Sequence, residues 1–503
     1  MIGTDVLPVR TETDSSLAAG AALRVGAPRL RWSASALAGG SFLALLVAAL
    51  FAFNVFLHFP GTLNNDSVYQ YAEAISGHYT DWHPPVMAWL MSVLLRVAEG
   101  PAPLLLVHLT LYWVGFGLLA DGMRRAGHPR TGVLIALAGA FPPFLYLNGV
   151  IGKDVGMVAF WLAAVGLMFW FRAQGRRIPL YAGIVVGALI LYGTLVRSNA
   201  LFALGPLLFY AFAPASWVRG PRLIAGALVV AVLAIPLTQQ VNRALFHPQE
   251  REPVNSLFLY DLMGIATHEN DPGLLEPRAT MSAKDLKTCY TPYWWDPLSP
   301  WGRCAALVHT PDTDHATVGA GLPLQWAKTI AAHPLAYAKH RLKHFNSEIL
   351  FAVPPKHIRL TPEYRTDDPS RPPMEVVTEH DIKFDLLRKN PFVWPVTWMV
   401  WGLGLLVFLA REAAGNQVLL ARALIVSGLG YSGAYLVIGV ATDMRYHYWS
   451  LIAGLLATLL VLPQLADGAR RHSRALAGAL LAVGVVVAIG VATRLLDFQG
   501  FVV

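Results

Sequence analysis

Apolar segments separated by short polar stretches run along most of the sequence. About a dozen occur, near 36–57, 84–98, 103–120, 131–147, 155–171, 179–196, 199–214, 221–238, 392–410, 418–440, 446–463 and 474–493. Most have roughly 18–22 residues, the length at which an α-helix crosses the hydrocarbon core of a bilayer. The pattern predicts an all-α polytopic membrane protein. It lacks the ten-residue alternation that is typical of membrane β-barrel strands.

The basic residues between these segments predict how the chain crosses the membrane. Short cytoplasmic loops are enriched in Lys and Arg. If the segment 84–98 lies in the interface and every other segment crosses once, the arginine-rich stretches all face the cytoplasm. They contain Arg24, Arg29, Arg31, Arg124, Arg125, Arg130, Arg172, Arg176, Arg177, Arg219, Arg222, Arg411, Arg422, Arg470, Arg471 and Arg474. This distribution predicts about eleven spans and a cytoplasmic N-terminus.

Four regions follow from this topology. Residues 1–33 are predicted as a disordered cytoplasmic tail and 34–238 as an N-terminal transmembrane module. Residues 239–391 are predicted as an extracytoplasmic domain and 392–503 as C-terminal transmembrane helices. Within the outer domain, residues 322–351 have apolar positions at helical spacing with basic residues between them, which predicts one or two amphipathic helices on the membrane surface.

Composition supports a membrane protein. The chain is 55% hydrophobic and 14% charged, whereas soluble domains average about 25% charged residues. The net charge of +8 is spread over short loops, so no nucleic-acid-binding face is expected. Cys289 and Cys304 both lie in the predicted outer domain, where an oxidising compartment favours a disulfide. Two free buried thiols are the alternative.

Ionisable residues on the predicted outer face indicate a functional site. The first outer loop, HFPGTLNNDSVYQYAEAISGHYTDWHPPVMAWL (58–90), contains acidic residues and histidines but no Lys or Arg. The short outer turns contain Lys153, Asp154, Arg197 and Arg445. Basic residues there oppose the usual charge bias, and ionisable groups near the membrane are a functional hypothesis by default.

Four short motifs in these outer segments resemble those of the C-type (GT-C) glycosyltransferases. They are NNDS (64–67), DWHPPVMAWL (81–90), GKD (152–154) and DMRYHYW (443–449). The chain is similar in this respect to protein O-mannosyltransferases and the lipid A aminoarabinose transferase. One difference is that NNDS contains a single Asp where many members carry an acidic pair.

The resemblance implies a GT-C fold, with juxtamembrane helices in the first outer loop. It further implies inverting transfer of a sugar from a polyprenyl-phosphate carrier to a glycan, lipid or protein acceptor. The reaction would take place at the outer face of the cytoplasmic membrane.

The chemistry of such a transfer assigns roles to the outer residues. The acceptor must lose a proton, so Asp66 is the expected general base and Asp154 the second carboxylate, which orients the acceptor or assists. The leaving phosphate needs cationic or hydrogen-bonding partners, expected from Lys153, Arg197, Arg445 and His83. Contacts with the acceptor or sugar are expected from Asp81, Tyr69, Trp294, Trp295 and Tyr446.

Each of these residues also has a purely structural interpretation. Asp66 could only cap the helix that begins there, and Asp154 could be favoured by a helix dipole. The three cations could extend to lipid headgroups, and His83 could cap or pack. The tryptophans of CYTPYWWDPLSPWGRC (289–304) could anchor the domain in the interface or form a small core.

Alternatives also remain for the cofactor and the function. A divalent metal among Asp66, His78, Asp81 and His83 is the one cofactor considered, although their spacing matches no fixed metal motif. The chain could be a transporter or flippase of lipid-linked sugars, but no internal repeat of the kind common in transporters is found. It could also be an O-antigen ligase or polymerase that uses a diphosphate-linked donor.

Overall fold

Helices account for nearly all regular structure in the chain. The computed structural model describes residues 39–218, 220–308, 321–355, 390–468 and 472–499. The predicted tail 1–33 lies outside these residues. Over the part described, the prediction of an all-α polytopic protein is confirmed.

Among the described residues, the N-terminal half contains ten helices and two short strands. In chain order these are α1 Gly40–His58, β1 Thr62–Leu63, α2 Asn65–Ser76, α3 Val86–Leu94, α4 Ala102–Arg125, α5 Pro129–Ala138, α6 Pro142–Asn148, β2 Val150–Ile151, α7 Lys153–Ala173, α8 Leu180–Val196, α9 Leu201–Phe212 and α10 Gly220–Phe246.

Nine further helices follow. They are α11 Asn255–Glu269, α12 Ala283–Cys289, α13 Leu322–Ala332, α14 Pro334–Glu348, α15 Pro395–Leu409, α16 Asn416–Ile438, α17 Tyr448–Leu460, α18 Leu462–Gly468 and α19 Ser473–Leu495.

The helices establish a multi-pass membrane protein. Six are long and apolar enough to cross a bilayer, namely α1, α4, α7, α10, α16 and α19. Two bent pairs, α5 with α6 and α17 with α18, raise the number of candidate spans to eight. Three shorter apolar helices, α8, α9 and α15, occupy the remaining predicted segments. Whether these three also cross, which would give eleven spans, stays a prediction.

Helix α3 lies in the segment 84–98, which was expected not to cross the membrane. It has nine residues and is therefore about 14 Å long, half of what a span needs. Pro85 is its N-cap residue, and the preceding Pro84 disfavours helical backbone at His83. Val86, Met87 and Met91 are buried in the main core, so α3 packs against the bundle.

Helix α7 lies at the centre of the bundle. Most of its length is buried inside the protein, and it packs on α4 and α8. The approach to α4 is close because glycines meet there: a Cβ on Gly166 would lie 2.6 Å from the carbonyl oxygen of Gly115. Small residues at such crossings are common in membrane proteins. The first residues of α7 are therefore held in a fixed position.

The outer domain has its own small core. Leu259 and Met263 of α11 pack there with Leu286 and with the disulfide that joins Cys289 to Cys304. Trp295 is 6% exposed in this core. It therefore has no free face for a sugar, and the prediction that it stacks on one is wrong.

Residues 322–351 form two helices, as one alternative predicted, but the second does not lie on the surface. His340, Arg341, His344 and Glu348 of α14 are all buried. The polar side of α14 is covered because these side chains pair with acidic and imidazole groups of the neighbouring elements. The expectation of a membrane-surface helix is corrected for α14.

Candidate active site

A two-stranded parallel sheet brings two of the outer motifs together. Thr62 pairs with Val150 and Leu63 with Ile151. The residues that follow the two strands, 64–66 and 152–154, therefore leave the sheet at the same edge. This register explains how Asp66 comes to lie beside Lys153, although 87 positions separate them in the sequence.

Asn64, rather than Asp66, caps helix α2. The Asn64 side chain accepts from the backbone N–H of Ser67, and the Ser67 hydroxyl accepts in turn from the backbone N–H of Asn64. Asp66 lies in the first turn of the helix, with its carboxylate directed elsewhere. The interpretation of Asp66 as only a helix cap is wrong.

Cations surround the Asp66 carboxylate. Its Oδ2 lies 3.4 Å from Nζ of Lys153 and 3.3 Å from Nη2 of Arg445, and its Oδ1 lies 4.0 Å from Nε2 of His83. Burial alone would raise the pKa of Asp66, but Lys153, Arg445 and the neighbouring groups hold that pKa well below its usual range. In this arrangement Asp66 is ionised and binds a proton only weakly.

His83 is held as a neutral imidazole. Burial, and secondarily Lys153, lower its pKa to about 3. Nζ of Lys153 lies 2.8 Å from Nδ1 of His83; because an ammonium group can only donate, Nδ1 accepts. Nε2 then carries the hydrogen on the side of Asp66. His83 can offer a hydrogen bond to an anion but no positive charge.

Asp154 and Arg197 form the second ion pair of the site. Asp154 is 1% exposed, and its Oδ1 lies 3.1 Å from Nε of Arg197. Arg197 also donates to the hydroxyl of Tyr435 at 2.9 Å, and its guanidinium lies 4.7 Å from the ring centroid of Tyr446. Arg197 therefore holds Asp154 in place, whereas Lys153 and Arg445 are the cations that pair with Asp66.

The late turn adds a carboxylate that the sequence interpretation did not assign. Nε of Arg445 lies 2.9 Å from Oδ2 of Asp443. Burial raises the pKa of Asp443 despite this partner. The residue lies inside the motif DMRYHYW, so its position in the turn 442–448 was the available signal. Among the carboxylates outside the membrane spans, Asp443 is better suited than Asp66 to holding a proton in the unliganded site.

One cavity joins these groups. Asn64, Asp154, Asp443 and Arg445 all line it. Within the described part of the chain, Nδ2 of Asn64, Nη1 of Arg445 and both carboxylate oxygens of Asp154 are buried without a hydrogen-bond partner. Buried polar atoms are normally satisfied. Their position among the residues that line this small cavity makes it a candidate site for a polar ligand.

Glu348 links this site to the outer domain. Its Oε1 lies 3.3 Å from Nε2 of His344, and its Oε2 lies 3.3 Å from Nε2 of His447. All three side chains are fully buried. His447 ends the short 3₁₀ segment Met444–His447 that contains Arg445. The contact therefore connects α14 to the segment that supplies a cation to Asp66.

Hydrogen-bond directions show that Glu348 is protonated. Nδ1 of His344 lies 2.8 Å from the carbonyl oxygen of Pro292, which can only accept, so Nε2 of a neutral His344 presents a lone pair to Glu348. Burial lowers the pKa of His344 to about 3, and burial and Asp443 raise the pKa of Glu348 well above its usual value. Oε1 of Glu348 and Nε2 of His344 make no hydrogen bond at this contact, so His344 does not stabilise a negative charge on Glu348.

The second imidazole beside Glu348, that of His447, also presents a lone pair to the carboxyl group. The hydroxyl of Ser450 donates to the carbonyl of Gly428, and that of Ser432 donates to Ser450. Nδ1 of His447, 2.8 Å from Ser432, must then be the donor of its contact, and its Nε2 also presents a lone pair to Glu348. A protonated Glu348 has one hydrogen to donate, and its Oε2 meets hydrogen-bond geometry with Nε2 of His447.

The other predicted contact residues are distributed differently. Asp81 accepts from the backbone N–H of Arg251, outside the ion-pair cluster. Tyr69 lies on α2 one turn after Asp66 and is 55% exposed. Trp294 pairs through its backbone with Ala441, beside the late turn. The ring of Tyr446 stacks on that of Tyr435 at 5.6 Å and lies under Arg445 as well as Arg197.

The residues considered for a metal do not converge. Among the described residues, no group of three or more His, Cys, Asp or Glu side chains is arranged to hold a metal ion.

Comparison with known proteins identifies a related family over part of the chain. The sequence profile of the dolichyl-phosphate-mannose-protein mannosyltransferase family matches residues 82–238. This match confirms the predicted resemblance and supports a membrane glycosyltransferase of the GT-C type. It includes His83, Lys153, Asp154 and Arg197. No curated protein and no solved structure matches the chain significantly.

Proposed function

We propose that this chain transfers a sugar from a polyprenyl-phosphate carrier to an acceptor hydroxyl or amine at the outer face of the cytoplasmic membrane, with inversion. The observation that carries the proposal is the position of Asp66 between Lys153 and Arg445, each 3.3–3.4 Å away. The same two cations would bind the phosphate of the donor. The resemblance over residues 82–238 supports a lipid-linked sugar as the substrate class.

The ion pairs suggest how the donor activates the base. A carboxylate held by two cations is a poor base, because each cation favours its ionised form. When a phosphate takes Lys153 and Arg445 as partners, their attraction for Asp66 is shared with a second anion and the pKa of Asp66 rises. The base would thus become competent only when the donor is bound.

Transfer then proceeds in one displacement. The acceptor heteroatom forms a bond to the anomeric carbon while the bond from that carbon to the phosphate oxygen breaks. Asp66 takes the proton of the acceptor, and the polyprenyl phosphate leaves as an anion beside Lys153 and Arg445. The Nε2–H of His83 is placed to donate to either anion.

Asp154 and Asp443 complete the proposed site. Asp154, held by Arg197 through its Oδ1, would accept a hydrogen bond from the sugar or acceptor with its Oδ2. Asp443 orients Arg445. If Asp66 were not the base, the raised pKa of Asp443 would make it the next candidate.

Substitution of Asp66 by Asn tests the proposal. Asn64 provides the cap, so Asp66→Asn should fold. It cannot take a proton, so transfer from a polyprenyl-phosphate sugar should fall at least about a hundredfold. The matched control is Glu99→Gln, an equal loss of charge at an exposed residue of the same outer loop, which should retain most of the activity. Transfer by Asp66→Asn at close to the wild-type rate would refute the role of Asp66.

A further inference from the structure

A second cavity lies at the end of the bundle opposite to the candidate active site. Helix α7 begins at Lys153 in the site and ends at Ala173, about 30 Å away along its axis. The cavity lies beyond this end, where the side-chain amide of Asn416, at the start of α16, donates to the carbonyl of Arg172 at 2.7 Å. The site and this cavity therefore share helices but no residues.

The cavity is basic and spacious. Its volume is about 510 Å³, within the range of ligand pockets, which is roughly 300–1,000 Å³. Arg172, Arg176 and Arg177 line it together with Asn416, and none of the twelve lining residues described is acidic. Such a set of donors selects an anion, and guanidinium groups suit phosphate in particular.

Arg172 is held in position for such a ligand. Its Nη2 donates to the carbonyl of Ala211 at 2.9 Å, and its guanidinium lies 4.7 Å from the ring centroid of Tyr210. Asp121 is the acidic residue of the adjacent helix α4 that approaches this region. It already pairs with Arg124 at 2.7 Å and Arg125 at 2.5 Å, which keeps it from neutralising the arginines of the cavity.

One side of the cavity is apolar and opens outward. Leu180 and Phe212 line it and are 82% and 71% exposed, as expected for side chains that face lipid tails. A free phosphate has no apolar part that could contact Leu180 and Phe212. A molecule with a phosphate head and hydrocarbon chains matches both halves of the cavity.

We infer that this cavity binds the phosphate head of an anionic membrane phospholipid, with the acyl chains against Leu180 and Phe212. Basic pockets between transmembrane helices bind anionic headgroups in this way. The general enrichment of arginine in cytoplasmic loops accounts for the charges, but it does not account for a cavity of this volume that is lined by both arginines and apolar side chains. The inference is independent of the proposed glycosyl transfer.

Native mass spectrometry of the full chain with added lipid tests this inference. Phosphatidylglycerol should stay bound to the wild type, whereas phosphatidylcholine should not. The double variant Arg176→Gln/Arg177→Gln should bind phosphatidylglycerol roughly thirtyfold more weakly, about fivefold for each charge removed. The matched control is Arg411→Gln/Arg474→Gln, which removes two exposed arginines outside the cavity and should bind as the wild type does.

Further measurements in the same assay identify which kind of molecule supplies the phosphate. Displacement of phosphatidylglycerol by excess inorganic phosphate would overturn the lipid assignment, and so would stronger retention of a polyprenyl phosphate. Arg176→Lys/Arg177→Lys keeps the charge and should retain most of the binding. Equal retention of phosphatidylglycerol by the wild type and the double Gln variant would overturn the inference. A thermal unfolding midpoint close to that of the wild type shows that each variant is folded.

Discussion

At the scale of single residues, neighbouring charge and burial set the protonation states in the candidate site. Asp66 is kept ionised by Lys153 and Arg445. His83 is kept neutral because burial and Lys153 lower its pKa more than Asp66, 4.0 Å away and already paired, raises it. Neither group titrates near neutral pH in the unliganded protein.

The buried, neutral state of His83 predicts a pH-dependent stability. In the unfolded chain an imidazole binds a proton below about pH 6.5, whereas folded His83 stays neutral until about pH 3. Unfolding therefore takes up a proton between these values, and the contribution of His83 to stability falls as the pH drops. As the pH is lowered from 7 to about 4, the thermal midpoint of the wild type should therefore fall more than that of His83→Gln. Parallel profiles would contradict the neutral state.

The sequence predicted which charged residues would meet, but not how they pair. Lys153, Arg197 and Arg445 each stand at the predicted outer end of an apolar segment, so the predicted topology alone places them at one level. Their partners were not predictable: Arg197 pairs with Asp154, and Arg445 divides its contacts between Asp66 and Asp443. Such choices depend on side-chain packing, which joins Arg445 both to a neighbour in its own turn and to Asp66, 379 positions away.

At the scale of secondary-structure elements, α14 and the late turn show how the outer domain supports the site. The sequence of α14 has a clear helical period, which predicted the helix. The period does not reveal what covers the polar side of the helix. In the structure, Asp261, Tyr290 and His447 cover it. The resulting contact through Glu348 fixes the 3₁₀ segment that contains Arg445.

Two substitutions of Glu348 separate the roles of its charge and its hydrogen bonds. Because Glu348 is protonated, the carboxamide of Glu348→Gln should donate in its place, and transfer should stay within about threefold of wild type. Glu348→Ala leaves the buried Nε2 of His447 without its hydrogen-bond partner, which costs about 1–3 kcal/mol in stability. It should lower both the thermal midpoint and the affinity for the donor. If Glu348→Gln is as inactive as Glu348→Ala, the negative charge is required instead.

At the scale of the whole molecule, the two ends of the bundle have different chemistry. One end has paired charges around a small cavity, and the other has arginines without acidic partners among the residues that line the second cavity. Hydropathy predicted the positions of the apolar helices because lipid imposes a strong and simple constraint on spanning segments, but it did not predict the two bent pairs. The small core of the outer domain lacks such a periodic signal, which is why Trp295 was misassigned.

Cysteine labelling tests the orientation of these ends. Cys289 and Cys304 are paired, so an introduced cysteine would be the one free thiol. Ala126→Cys is preferable to a change at Gly127, whose φ of 87° disfavours a side chain. A membrane-impermeant maleimide should label Ala126→Cys from the cytoplasm and the control Ser76→Cys from outside. The reverse pattern would contradict the predicted topology.

The most direct measurement is the affinity of a polyprenyl phosphate, such as undecaprenyl phosphate, for four forms of the protein. Asp66 competes with the phosphate for Lys153 and Arg445, so Asp66→Asn should bind more tightly than wild type even though it cannot transfer sugar. Lys153→Ala and Arg445→Ala should each bind roughly ten- to a hundredfold more weakly, the effect of one charge-assisted contact. Weaker binding by Asp66→Asn, with unchanged binding by the two alanine variants, would contradict a phosphate site at these cations.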